Sequence, residues 1–239
     1  MVVSPSGEDI EHVGETVHPV SPAPETAPVV DLSREEEMPT LETVTQAGQL
    51  SVSAGVDTAS STGNALGEIG LDYSAKPDKW PLQEKVFRLA LPYCVRGKPL
   101  ILHIRGASGD GCIAAVGRNA LNIVREYCGR EQLIHLHCFT GDKSVVRCWI
   151  EAFPNCYFGF KAGVSVFTSA KIDDLRDVPE SRLLLETDSP YFPVPGGPRP
   201  NTPAFIGDVA LLVAERRGID LNRLLQLKVE NTRRLYGFD

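Results

Sequence analysis

The first 60 residues contain no phenylalanine, tryptophan or tyrosine. They are rich instead in Pro, Ser, Thr, Val and Glu, and such a segment cannot bury enough apolar surface to offset the entropy of ordering. Residues 1–60 are therefore expected to form a mostly disordered acidic tail. Elsewhere the chain lacks any run approaching the ~20 apolar residues of a membrane span. It also lacks the basic-then-apolar amino terminus of a secretory signal. Its six cysteines (94, 112, 128, 138, 148, 156) include no C-x-x-C pair, which argues against a cysteine-built zinc cluster. They read as reduced thiols, most of them core filler, and suggest a cytosolic or nuclear protein without a membrane partner.

What is present divides at about residue 61. Residues 1–65 hold 11 acids and one base, whereas 66–239 hold 20 acids and 23 bases. The overall charge of −7 therefore comes from the tail, and the body is mildly basic, as suits a polyanionic substrate. With 42% hydrophobic residues, the chain can build one core of ordinary size. In the tail, 33–36 has capping-box spacing cut short by Pro39, and 49–56 alternates weakly like a short strand.

From 61 to 239 short apolar runs alternate with longer amphipathic ones. Strands are expected at 64–72, 98–105, 132–139, 156–166 and 181–188. Helices are expected at 82–95, 112–128, 143–153, 172–175, 201–217 and 220–235, the last capped by Asp220. Pro81 suits the start of the first helix and Pro92 disturbs its end. Strands alternating with helices imply a parallel sheet covered on both faces.

The first, second, third and last strands each carry a metal-binding or charged residue toward the carboxyl side: Glu68 then Asp72, His103 and Arg105, His135 and His137, Glu186 and Asp188. In a parallel barrel those ends share one face, where the active site lies. Glu68, His103, His137 and Asp188 can thus converge, and imidazole with carboxylate suits Zn, Mn or Mg. Each residue also has a plain reading. Glu68 can be a solvated strand end, His103 a hydrogen-bonded core histidine, Asp188 part of a turn and Arg105 a surface ion pair. His135 and His137 share a strand face, about 6.6 Å apart at about 3.3 Å per residue. Only one is expected to meet a metal: His137, with His135 its buried hydrogen-bonded neighbour. The plain readings weaken together, because all these residues fall at one end of successive strands.

Gly67-Glu68-Ile69-Gly70-Leu71-Asp72-Tyr73 resembles the GEIGLDY signature of the TatD family of metal-dependent deoxyribonucleases. Four further segments follow in the family's order: 99–105 around His103 and Arg105, His137-Cys138-Phe139-Thr140-Gly141, Leu185-Glu186-Thr187-Asp188-Ser189-Pro190-Tyr191, and the closing stretch from Glu230 to Gly237. The motifs cover 66–239 and none of the tail. The resemblance implies a TIM-type (β/α) barrel of the metal-dependent hydrolases, a nuclease acting on DNA or RNA, and divalent cations. In that reading Glu68 bridges two metals, His103 and His137 complete one site, and Asp188 belongs to the other and orients the nucleophilic water. Glu186 would hold a ligand or the backbone from behind. Arg105 is a phosphate contact by its charge and position. Tyr191 and Phe192 either stack on a base or pack.

The family's opening D-x-H-x-H strand has no counterpart here. His12 and His18 stand six apart in an acidic, aromatic-free stretch. The expectation is an incomplete barrel of about five of eight strands, one cation where the family has two, and low or absent activity. Two other readings stay open: a non-catalytic nucleic-acid-binding or regulatory protein on the same scaffold, and a metal-dependent amidohydrolase. The carboxylate at 68, where many amidohydrolases use lysine, disfavours the latter.

Overall fold

A computed structural model describes residues 64–107 and 113–238. The expected disordered tail, its boundary at residue 60, the features at 33–36 and 49–56, and His12 and His18 all lie outside the described residues. Five strands are present among the described residues: β1 (Leu66–Asp72), β2 (Leu100–Arg105), β3 (Ile134–His137), β4 (Cys156–Phe160) and β5 (Leu183–Leu185). Among the described residues six α-helices accompany them: α1 (Trp80–Ala90), α2 (Ala114–Tyr127), α3 (Lys143–Ala152), α4 (Ser169–Asp177), α5 (Ile206–Arg217) and α6 (Leu221–Tyr236). No helix among the described residues is long and apolar enough to cross a membrane.

All four strand pairings are parallel, and the spatial order is the chain order, β1 to β5. A doubly wound sheet reverses direction at a switch point. An order that never reverses, with a helix after each strand, is the arc of a TIM-type barrel. The five strands expected from sequence are therefore all found.

Burial in β2 alternates. Leu100, Leu102 and Ile104 are buried, while Ile101, His103 and Arg105 are less so. The buried set joins Ile134, Leu136, Phe158 and Phe160 against Phe87, Val116, Ile123 and Trp149 of the helices in one apolar cluster. On the other face, where His103 lies between the buried residues of β2, Tyr157 and Leu184 form a second apolar cluster with Leu235 of α6.

Several bounds also differ from the sequence reading. The strand read at 156–166 stops at Phe160 and continues as a 3-10 turn, Ala162–Val166. The strand read at 181–188 is only Leu183–Leu185, so Glu186 and Asp188 lie on the loop beyond it. The helix read at 172–175 is longer because Thr168 caps it, its side chain accepting from Lys171 N. α1 gives way to a 3-10 turn at Leu91–Tyr93, where Pro92 cannot donate. Asp220 caps α6 as expected, accepting from Arg223 N at 3.0 Å.

α6 is anchored by Asn231, which is fully buried. Its Nδ2 donates to the carbonyls of Glu180 (2.7 Å) and Leu183 (2.8 Å), fixing the helix to the start of β5. Asn231→Ala removes both bonds, although the Glu180 carbonyl keeps the Leu183 backbone N–H. We expect a loss of about 2–3 kcal/mol, the cost of losing both bonds, read as a shifted urea midpoint at unchanged slope.

Candidate metal centre

The inward-facing residues of neighbouring strands build the site. His103 of β2 pairs in register with His137 of β3 and with Gly70 of β1. Glu68 lies in the first half of β1, not at its carboxyl end as the sequence reading had it. The pairing explains how it still arrives: β1 takes three steps from Leu66 to Ile69 while β2 takes two from Leu100 to Leu102. The extra residue is a bulge, which re-aims a side chain. Gly70, at φ +154°, lies so close that a Cβ there would press into the His103 carbonyl. Beyond β5, Asp188 adopts φ 53°, an uncommon left-handed conformation for a residue with a side chain.

The four residues singled out from sequence meet. Glu68 Oε1 is 2.7 Å from His103 Nδ1 and 3.4 Å from His137 Nε2, and His137 Nε2 is 3.5 Å from Asp188 Oδ1. Glu186 lies behind them. It accepts from His137 Nδ1 at 2.9 Å and from the Cys138 backbone N–H at 2.8 Å. His135 is buried, as expected. Its Nδ1 is 2.7 Å from the Tyr236 hydroxyl, and its Nε2 is 2.7 Å from Glu186 Oε1 without directed hydrogen-bond geometry. Tyr236, at the end of α6, thereby closes the floor of the site. Arg105 stands apart: its side chain is about half exposed and leans on Asp72 at 3.6 Å, and Asp72 is 3.9 Å from His103 Nε2.

Two residues were missed. Lys161, the first residue after β4, places Nζ 2.7 Å from Asp188 Oδ2. Its charge at a strand's carboxyl end was the available signal, hidden because that strand was read through to residue 166. Cys138, read as core filler, has Sγ 3.2 Å from Asp188 Oδ2 and 3.0 Å from His137 Nε2. The other described cysteines are also free thiols. Tyr191 is exposed, and Phe192 lies under the Lys161 ammonium rather than in the core.

Burial alone would raise the carboxyl pKa values, but partners outweigh it. The charges and hydrogen bonds of His135 and His137 hold Glu186 well below the usual carboxylate range. Hydrogen bonds from His137 and Lys161 do the same for Asp188. Burial works against a charged His137, yet its contacts with Asp188, Cys138 and Glu186 raise its pKa far above the ordinary value. Burial pushes the Cys138 thiol up to about 12. Because Glu186 titrates lower folded than unfolded, its stabilisation is fully present above about pH 4 and is lost as pH falls through the depressed value. We expect the metal-free melting temperature to drop steeply below about pH 4. Glu186→Gln should flatten that drop and remove about 3 kcal/mol at neutral pH, as expected for a buried ion pair with one partner neutralised.

The donor set suits a divalent cation. Ligand atoms of Glu68, His103 and His137 all lie within 4.8 Å of one another. Glu186 holds His137 so that Nε2 faces Glu68 and Asp188, the usual support behind a metal-bound imidazole. A second group, His137, Cys138 and Glu186, shares His137 with the first. Among the described residues, no candidate group of three donors includes Asp188.

The family model for TatD related DNase matches residues 17–237, and so starts well before the motifs read from the sequence. The human 3'-5' RNA nuclease TATDN2 is 39% identical over 132 residues, 54% of this chain and 16% of that protein. The uncharacterized metal-dependent hydrolase YcfH of Escherichia coli (strain K12) is 36% identical over 183 residues, 73% of this chain and 63% of that protein. The chain thus spans less than two thirds of either relative. The crystal structure of YJJV, a TatD homolog from Escherichia coli k12, shares the fold at TM-score 0.61 and 23% identity, covering 73% of this chain and 64% of that one. With a family model matched over most of its length, this chain belongs to the TatD related DNase family.

Proposed function

We propose that this protein is a metal-dependent nuclease, hydrolysing phosphodiester bonds of DNA or RNA at a centre built on Glu68, His103, His137 and Asp188. The observation that carries this reading is the convergence of Glu68, His103 and His137 donor atoms within 4.8 Å, on a chain of a nuclease family. These three residues would hold a Mg, Mn or Zn ion. When bound, such a cation supplies Lewis acidity and lowers the pKa of an attacking water.

The remaining roles belong to the protein. Glu186 fixes the His137 ring so that Nε2 is turned toward Glu68 and Asp188. Asp188, held by Lys161 and the Cys138 thiol, accepts the proton as the water oxygen bonds to phosphorus and the bond to the leaving oxygen breaks. Arg105, exposed at the end of β2, contacts a flanking phosphate. Tyr191 and Phe192 follow on the same loop as Asp188, and exposed Tyr191 offers a ring face to a base. A division into an acidic tail, 1–60, and a hydrolase body, 61–239, belongs to this reading, as does a cytosolic or nuclear setting, which the free thiols support.

The test is digestion of single- and double-stranded DNA and single-stranded RNA by metal-stripped protein reloaded with Mg, Mn or Zn. Cleavage with at least one cation, abolished by chelator, is the expected result. Tight cation binding without cleavage of any substrate would instead establish the binding or regulatory reading. Cleavage of amide substrates alone would establish the amidohydrolase reading.

A further inference from the structure

Lys161 has no role in the reading above beyond steadying Asp188, yet its surroundings are more specific than that. Its ammonium is 2.7 Å from Asp188 Oδ2, with the lysine side chain 12% and the aspartate 19% exposed. The pair is therefore turned into the site, where water screens it little. The Phe192 ring lies 3.3 Å behind Nζ, a cation–π contact, and Phe192 adopts φ 48° to be there. Cys138 Sγ approaches the same carboxylate oxygen at 3.2 Å. Asp188 Oδ2 is thus taken by an ammonium and a thiol. Its other oxygen, Oδ1, faces His137 Nε2 at 3.5 Å.

Phosphoryl transfer is commonly served by two positive centres about 4 Å apart, one activating the attacking oxygen and one stabilising the opposing charge. Among the described residues the two candidate donor groups share His137, and neither includes Asp188. We infer that Lys161 is the built-in second cation of this centre: the chain takes one divalent ion on Glu68, His103 and His137, and the Lys161 ammonium stands at Asp188 where another ion would otherwise bind. The substrate phosphate then bridges a metal and a lysine. This rests on the metal-centre reading, but it concerns the number of ions and not the reaction.

The test counts and weighs Mn²⁺ on the full chain by isothermal titration and by electron paramagnetic resonance, with no turnover required. Wild-type protein should bind one Mn²⁺ with an uncoupled, mononuclear spectrum. Lys161→Met keeps the stem over Phe192 and removes the charge. It should bind Mn²⁺ at least about tenfold more tightly, because a positive charge beside the ion is gone, and should admit a second ion with an exchange-coupled spectrum at saturation. Lys161→Arg retains the charge and should remain mononuclear, which separates the charge from any packing defect, and circular dichroism checks that each variant is folded. Two coupled ions on the wild type, or a Lys161→Met variant with unchanged stoichiometry and affinity, would overturn the inference and leave the metal centre standing. No Mn²⁺ on the wild type would instead remove the metal-centre reading itself.

Discussion

Replacing Glu68 by alanine should abolish measurable divalent-cation binding and lower phosphodiester cleavage by at least about a thousandfold, roughly 4 kcal/mol of transition-state stabilisation. Glu68 supplies the carboxylate of the three-donor group, and both imidazoles converge on its Oε1, at 2.7 and 3.4 Å. Loss of groups that merely support metal ligands weakens affinity by about 10- to 100-fold, so loss of a ligand should exceed that. Removing Glu68 leaves the apolar core intact, since its half-buried side chain faces the site from a bulge. The variant should therefore melt within a few degrees of the parent when both are metal-free. Unchanged Mn²⁺ affinity in a folded Glu68→Ala variant would mean that the cation is held elsewhere.

A second substitution should act from the opposite side, on stability first. Gly159 sits in β4, and a Cβ added there would press directly into the Glu186 carboxyl. A flexible acid on the surface would swing away. Glu186 has little freedom to do so: it is buried, and it is held by His137 Nδ1, the Cys138 N–H and the nearby His135. Gly159→Ala should force the carboxylate from these partners and leave charge buried without compensation. Overpacking of about 1–3 kcal/mol adds to the roughly 3–5 kcal/mol of a broken buried pair. We expect a loss of at least about 3 kcal/mol in denaturant unfolding. Where the variant still folds, it should bind Mn²⁺ more weakly, because the His137 ring is no longer oriented. Gly159→Ala combined with Glu186→Ala gives the control. Removing the obstructing carboxyl should make the alanine at 159 nearly neutral relative to Glu186→Ala alone, whereas full additivity of the two losses would place the strain elsewhere.

Most of the scaffold could be read from the chain, because its cause is local. Period-2 and period-3.6 apolar patterns, Asp220 at a cap and Pro92 at a helix end depend on nearest neighbours along the sequence, and each reappears within a few residues of its expected place. The same holds for the candidate donors. A histidine within 100–105, two within 134–137 and acids after 183–185 point to one face whenever successive strands are parallel. Where the reading went astray, the cause was distant in sequence. The strand read as 181–188 ends at Leu185 because its neighbour β4 stops at Phe160, with Glu186 N still bonded to the Phe160 carbonyl.

The candidate metal-binding residues, the alternation of strand and helix, and the charge split between residues 1–65 and 66–239 can be read from amino-acid order alone, since they depend on composition and on the fixed geometry of single elements. Which atoms touch does not. The bulge that carries Glu68 to His103, the closure of the floor by Tyr236 against His135 from 101 residues away, and the ammonium of Lys161 on Asp188 all arise from how separate strands register and how loops return. Those arrangements are selected by packing among segments that are remote in the chain, and no local pattern encodes them.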